Sequence, residues 1–194
     1  LRVGPRPRPL LALLVLALGS LAPAAPLQAQ ALDLLIRNGR VLDGTGNPAV
    51  RADVGIQDGR IVAVGDLAGR DASRTIDATG LHVAPGFIDM HSHADRSLFS
   101  GTPELRRAAN LVAQGITTVV VGPDGRNPSW PLEDEIAGYR QGGTGLNIVP
   151  MVGHNTVRQA VKGSRMGPAS RDELEVMADL VDQAMAEGAR GFST

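Results

Sequence analysis

The chain has 194 residues, no cysteine and a formal net charge of −1, so it offers neither a disulfide framework nor a thiolate ligand for a metal. Hydrophobic residues make up 43% and charged residues 20%, the usage of an ordinary globular protein. Aromatic residues are only 3%, and no basic cluster lies beyond the first eight positions; nucleic-acid binding, which needs stacking platforms or a cationic face, is not expected.

Arg2, Arg6 and Arg8 precede an unbroken apolar run from Leu10 to Leu18, and Ala29-Gln30-Ala31 fits a small-x-small cleavage site. That order predicts a secretory signal peptide over 1–31. The apolar run is too short to span a bilayer, so no stable membrane anchor is expected. The expected location is periplasmic or secreted.

From Leu34 to Gly86 the pattern is all β. Asn38-Gly39 and Asp58-Gly59 each sit between apolar runs, and such pairs supply the positive φ angles of two-residue hairpin turns. Two similar hairpins are therefore expected, followed by strands at Thr75–Ala78 and Leu81–Ala84 around a Thr79-Gly80 turn. After Pro85 the pattern changes. Phe87–His91 reads as a strand and Pro103–Gln114 as a helix, with Thr102 as N-cap and Gly115 as stop. Ile116–Val121 reads as a strand buried on both faces, Leu132–Tyr139 as a helix and Asn147–Val152 as a strand. Ser170–Glu187 carries the clearest helix signal: Ser170 and Glu173 have capping-box spacing, Gly188 follows, and Leu174, Met177, Leu180, Val181 and Ala184 form an apolar stripe. Ala189–Ser193 starts another strand. Strands alternating with helices imply parallel βα units. A closed eightfold barrel needs about 250 residues, so the expectation is α/β: a β segment over 32–85, then the first half of a (β/α)8 barrel over 86–194.

Asp89, His91, His93 and Asp95 occupy alternate positions and share a face for as long as the strand lasts. Ile88 and Met90 would then face a covering layer. Two imidazoles spaced i, i+2 at the carboxyl end of a parallel strand can bind one divalent ion through neutral nitrogens, and a nearby carboxylate can fix a ring by holding its other nitrogen. His-x-His alone is a weak signal. The preceding apolar strand and the flanking carboxylates strengthen it.

Val83-Ala84-Pro85-Gly86-Phe87-Ile88-Asp89-Met90-His91-Ser92-His93 resembles the first barrel strand of the amidohydrolase superfamily. Within it, His91-Ser92-His93-Ala94-Asp95, Gln114 to Gly122, Gly153 to Arg158 and Gly188 to Thr194 resemble, in order, blocks of the N-acyl-D-amino-acid deacylases, or D-aminoacylases. The resemblance implies that the β segment is the amino-terminal part of a small β-sandwich. It implies that His91 and His93 bind zinc or another divalent ion, with one or two ions in all. Such an ion lowers the pKa of bound water toward about 7 and polarises the amide carbonyl, while a carboxylate base passes the water's proton to the leaving amine. The family's catalytic aspartate and remaining metal histidines are expected beyond Thr194, so no catalytic residue is assigned within the chain.

Many deacylases carry a metal-binding cysteine in an Asn-Cys-Gly turn after the second strand; here Gly122-Pro123-Asp124-Gly125 places Asp124 at that position. Asp124 reads either as a metal ligand, which would favour harder ions, or as an ordinary turn aspartate. Asp89, Asp95 and His154 are candidates for contacting substrate or supporting the metal ligands, His154 being equally readable as structural. Arg158 suits a substrate carboxylate or a surface salt bridge, and His82 reads as structural. The expected partner is a small N-acyl amino acid, with oligomeric state left open. Two other readings stand beside this one. One is a cyclic-amide hydrolase of the dihydroorotase or hydantoinase kind, for which loop-like Lys162 is a poor carboxylated-lysine candidate. The other is a barrel remnant that binds metal without catalysis.

Overall fold

The computed structural model describes residues 31–194; the signal sequence expected over 1–31 lies outside them apart from Ala31. No helix among the described residues is long and apolar enough to cross a membrane. The chain divides into two compact units: the described residues up to Arg37 with Asp53–Asp77, and Asn38–Ala52 with Ala78–Thr194.

The first strands are β1 (Leu32–Val41), β2 (Val50–Gln57), β3 (Arg60–Gly65) and β4 (Ala72–Asp77), in the sheet order β3-β2-β1-β4; the first unit holds β1 up to Arg37, β2 from Asp53, and all of β3 and β4. β2 and β3 are antiparallel across Asp58-Gly59, whose φ values of 51° and 70° are those of the expected hairpin turn. β1 and β4 run parallel. Leu32, Leu35 and Val54 are buried.

The other expected hairpin does not form. Residues 32–41 are one continuous strand. Asn38 has a φ of 63°, but Gly39 stays out of the positive-φ region, and a two-residue type I′ turn needs both. Gly39 serves a different purpose: a Cβ there would lie 2.6 Å from the Val83 side chain, on the short strand β5 (His82–Val83) that pairs with the end of β1.

In the second unit, β6 (Phe87–Asp89), β7 (Ile116–Val121) and β8 (Asn147–Pro150) form a parallel sheet in sequence order. β9 (Val152–Gly153) pairs in parallel with β10 (Phe192–Ser193). The helices are α1 (Asp95–Leu98), α2 (Pro103–Arg106), α3 (Ala109–Val112), α4 (Leu132–Gly142), α5 (His154–Lys162) and α6 (Arg171–Glu187). Val119 and Val121 pack with Leu98, Tyr139 and Leu146; Val152, Val157, Met177 and Ala184 form a second cluster. The burial of β7 is less than expected, being complete only from Val119 onward. Among the described residues, Ile88 and Met90 are exposed.

The single helix expected over Pro103–Gln114 is two short turns, α2 and α3, separated by Ala108 at a φ of 48°. Thr102 makes no side-chain cap. Tertiary bonds explain the break. The Gly145 N–H donates to the Arg106 carbonyl at 2.9 Å, and the Arg106 guanidinium donates to the carbonyls of Ser100 and Gly142. The Gly145 backbone approaches so closely that a Cβ would strike the Arg107 carbonyl.

Helix α6 forms as its sequence dictates. The Glu173 N–H donates to the Ser170 hydroxyl, and the Ser170 N–H donates to the Glu173 carboxylate, completing a capping box. Met177 and Ala184 are buried with Leu180 and Val181 against them, while Leu174 is exposed. Lys162 ends α5 rather than lying in a loop, and its ammonium is buried against Glu173 at 3.2 Å. The Ser170 N–H, followed by Lys162, holds the Glu173 carboxyl below its ordinary range. Replacing Ser170 with alanine removes one partner of the box and is expected to cost about 1 kcal/mol, measured by chemical denaturation; an unchanged midpoint would count against this account of α6.

Candidate metal centre

Strand β6 ends at Asp89, so alternation along a strand does not carry the face expected of residues 89–95. His91 and His93 lie on the segment that follows. Two backbone bonds fix its course: the Ser92 N–H donates to the Val120 carbonyl at 3.0 Å, and the His91 N–H donates to the Asp89 carboxylate at 3.1 Å. Ser92 is buried between the two exposed histidines. Alternation about this anchor sends both rings outward, 5.3 Å apart between centroids.

Asp124 meets them from the turn after β7. Its Oδ1 lies 3.7 Å from His91 Nε2 and its Oδ2 lies 3.3 Å from His93 Nε2. Ligand atoms of these three residues all fall within 4.8 Å of one another. The spacings are long for a hydrogen bond, which clusters near about 2.9 Å. A neutral imidazole carries a lone pair on one of its two nitrogens, so two imidazoles and a carboxylate gathered in one small space can each offer a ligand atom. A divalent cation would satisfy all three groups. The ion pairs of Asp124 among the described residues are with these two histidines; no lysine or arginine takes the cation's place. The three side chains are 64%, 66% and 64% exposed, so solvent reaches them. The donor set therefore fits a metal of the nitrogen- and oxygen-binding kind.

The other expected site residues lie around this group. Asp89 anchors the His91 backbone and leaves both rings alone. Asp95 opens α1 and accepts from the Arg96 N–H, and it lines a cleft of about 1200 Å³ together with His93, Asp124, Arg126, Trp130 and Arg158. His154 opens α5 outside that lining, its ring 6.0 Å from the ring of Phe192. Arg158 donates to the Gly167 carbonyl at 2.9 Å.

A buried polar cluster beneath Asp124 had no sequence signature. β8 and β9 are separated at Met151, where ladder partners would be lost. The Asn127 carboxamide substitutes for a peptide group there: its Nδ2 donates to the Met151 carbonyl and its Oδ1 accepts from the Gly153 N–H, both at 2.8 Å. The same Nδ2 donates to Glu135 at 2.9 Å, and the Tyr139 hydroxyl donates to Glu135 at 2.8 Å. Glu135 is fully buried. Burial pushes its carboxyl up to about 7, against the two donors that favour ionisation, and also pushes the Tyr139 hydroxyl up. In the sequence Glu135 sits in an ordinary acidic first turn; only the i, i+4 spacing to Tyr139 hinted at a pair.

The amidohydrolase family matches residues 74–194. The chain belongs to the amidohydrolase family. A second family, the N-terminal domain of the urease alpha-subunit, matches residues 18–85. This amidohydrolase chain is 38% identical over 187 residues to a D-aminoacylase of Alcaligenes xylosoxydans xylosoxydans, covering 85% of this chain and 38% of that protein. A crystal structure of N-acyl-D-glutamate deacylase from Bordetella bronchiseptica, complexed with zinc and a phosphonate inhibitor, superposes with a TM-score of 0.77 at 35% identity, covering 85% of this chain and 38% of that one. A D-aminoacylase structure described by its binuclear metal centre gives a TM-score of 0.76 at 37% identity, covering 84% of this chain and 38% of that one. The amidohydrolase chain thus spans little more than a third of the length of these relatives.

Glu135 makes a testable contribution to stability. Its folded value lies above the ordinary one of 4.5, so the native state holds a proton that the unfolded chain releases. The stabilisation is complete below about pH 4.5 and is lost as pH rises through about 7. Glu135→Gln should remove this dependence. Between pH 5 and pH 8 the wild-type protein should lose on the order of 3 kcal/mol more unfolding free energy than the variant, measured by denaturant titration; parallel pH profiles would refute the assignment.

Proposed function

We propose that the protein is a metal-dependent amide hydrolase that deacylates N-acyl-D-amino acids. The observation that carries this reading is the convergence of His91, His93 and Asp124 within 4.8 Å, in an amidohydrolase chain 38% identical to a D-aminoacylase over most of its length. In this reading residues 32–85 belong to a β-sandwich and residues 86–194 form the first half of a (β/α)8 barrel, with the site at the carboxyl ends of its strands. The parallel order β6-β7-β8 and the position of all three groups after strand ends support it.

His91, His93 and Asp124 would hold the ion. Zinc is the proposed ion, in one or two copies; the nitrogen and oxygen donors suit it. A divalent ion held there supplies Lewis-acid chemistry, polarising an amide carbonyl and making water more acidic. Asp89 fixes the His91 backbone. In the cleft, Arg126 presents a guanidinium suited to the carboxylate of an amino acid, while Trp130 and Phe99 offer apolar surface to an acyl chain. Asp95 lies on the same cleft. His154, packed on Phe192, supports the wall behind the site. The general-base aspartate belongs, in this reading, to a later strand outside these 194 residues. The amino-terminal sequence supports export to the periplasm or beyond, tested by fractionating cells and sequencing the amino terminus of the recovered protein.

The degree of similarity favours a linear over a cyclic amide as substrate: identity is 38% to the D-aminoacylase against 33% to a dihydroorotase of Solibacter usitatus, and the TM-score is 0.77 to the deacylase structure against 0.54 to an L-hydantoinase. Lys162, buried in its pair with Glu173, is no carboxylated ligand, which leaves that residue of the cyclic-amide enzymes to be sought later in the barrel. The test is hydrolysis of N-acyl-D- and N-acyl-L-amino acids and of a hydantoin by the full-length protein, followed by release of free amine or ring opening. Selective release from the D-substrates is expected, and turnover of the hydantoin alone would replace this reading with the cyclic-amide one. Replacing both His91 and His93 with alanine should remove bound metal, measured by elemental analysis, and lower the rate by at least about a thousandfold, since the transition-state stabilisation a metal gives is worth several kcal/mol. Zinc content equal to wild type would refute the ligand assignment.

A further inference from the structure

Asp124 meets both histidines from a turn of uncommon shape. Gly122, Asp124 and Gly125 have φ values of 80°, 56° and 73°, left-handed values that a non-glycine residue such as Asp124 adopts at a cost. Asp124 itself is exposed, while Pro123 and Gly125 on either side are buried. Hydrogen bonds from outside the turn add to that packing. The Ser193 hydroxyl, on β10, donates to the Gly122 carbonyl at 2.6 Å and accepts from the Gly125 N–H at 3.1 Å. One oxygen thus ties together the residues on either side of Pro123-Asp124. The Asn155 carboxamide donates to the Asp124 carbonyl at 3.3 Å. At the far end of the turn, the Asn127 N–H donates to the Thr156 hydroxyl at 2.8 Å.

The space around the turn allows no easy alternative. A Cβ on Gly122 would lie 2.8 Å from the Met151 carbonyl and one on Gly125 would lie 2.9 Å from the Asn155 carboxamide, while one on Gly153 would strike the Gly125 backbone. The turn is therefore pressed against β9 and bridged from β10. Neither Ser193 nor Asn155 is among the three residues that converge on the metal position.

We propose that Ser193, assisted by Asn155, is a positioning residue for the metal-binding carboxylate: its hydroxyl clamps the turn so that the two Asp124 oxygens face His91 and His93. This rests on the metal-centre reading above. Without the hydroxyl, the Gly122 carbonyl and the Gly125 N–H lose their shared partner and the turn relaxes toward ordinary φ values, carrying the carboxylate away from the histidines. Groups that orient metal ligands typically change affinity about 10- to 100-fold when removed.

The experiment titrates the metal-free full-length protein with Co2+ alone, reading affinity and the visible d–d spectrum, alongside thermal unfolding without metal. Ser193→Ala is expected to weaken Co2+ binding about tenfold and to alter the d–d band, with little change in the metal-free unfolding temperature. Ser193→Thr, which keeps the hydroxyl, should restore both affinity and spectrum. Asn155→Ala, at an exposed position, should weaken binding less and serves as the reading if Ser193→Ala fails to fold. Wild-type affinity and spectrum in Ser193→Ala, or no rescue by threonine, would overturn the positioning role while leaving the metal centre intact. A wild-type protein that takes up no Co2+, or a His91→Ala/His93→Ala variant that binds it unchanged, would overturn the metal centre and this proposal with it.

Discussion

Ligand atoms of His91, His93 and Asp124 lie within 4.8 Å of one another, and the backbone beneath them supports that convergence. Both oxygens of Asp124 are turned toward imidazole nitrogens, an arrangement suited to a divalent cation. Two backbone features set it. The histidines flank a buried serine anchored to β7, and the aspartate sits in a left-handed turn. Imidazoles and a carboxylate held this way suit the cation proposed for the site, and the arrangement sets the demands on the groups that support it.

Those demands are met by polar groups that replace missing sheet bonds. Where β8 gives way to β9, the Asn127 carboxamide pairs with the Met151 carbonyl and the Gly153 N–H as a neighbouring strand would. A buried backbone group without a partner costs about as much as a lost hydrogen bond, so this side chain makes the break tolerable. It also brings in Glu135, whose own burial is eased by Asn127 and Tyr139. The break shifts the backbone from one short sheet to the next, and α5 begins directly after it. The turn bearing Asp124, the start of α5 and the end of β10 thereby share a single hydrogen-bonded support.

Local signals in the sequence were reliable where local chemistry decides the outcome. Ser170 and Glu173 complete their capping box because both partners lie within one turn of helix. Asp58-Gly59 makes its hairpin because two adjacent positive φ angles suffice. Asn38-Gly39 carries the same dipeptide signal and fails, because the approach of Val83 uses the glycine for space instead of for a turn. The helix expected through Arg107 and Ala108 fails for a related reason: Gly145, distant in sequence, claims the Arg106 carbonyl. The apolar positions Ile88 and Met90 had the right alternation yet stay exposed, since alternation specifies which side a residue takes and leaves open what covers that side.

The sequence carried the chemical types at the site and their order along the chain: two imidazoles two residues apart after an apolar strand, and a carboxylate between glycines after the next. By spacing alone the histidine pair is a weak signal; the resemblance to the deacylases is what singled out Asp124 and implied a divalent ion. Tertiary structure decided that the three meet, and how. The strand ends at Asp89, so the facing of His91 and His93 comes from the anchoring of Ser92 to β7 rather than from strand alternation. The approach of Asp124 depends on a hydroxyl 69 positions further along the sequence. Spacing in a sequence encodes only contacts that the local backbone can close; bonds such as those of Ser193, Asn127 and Glu135 exist only once distant segments have packed, because packing is what removes the water they would otherwise bind.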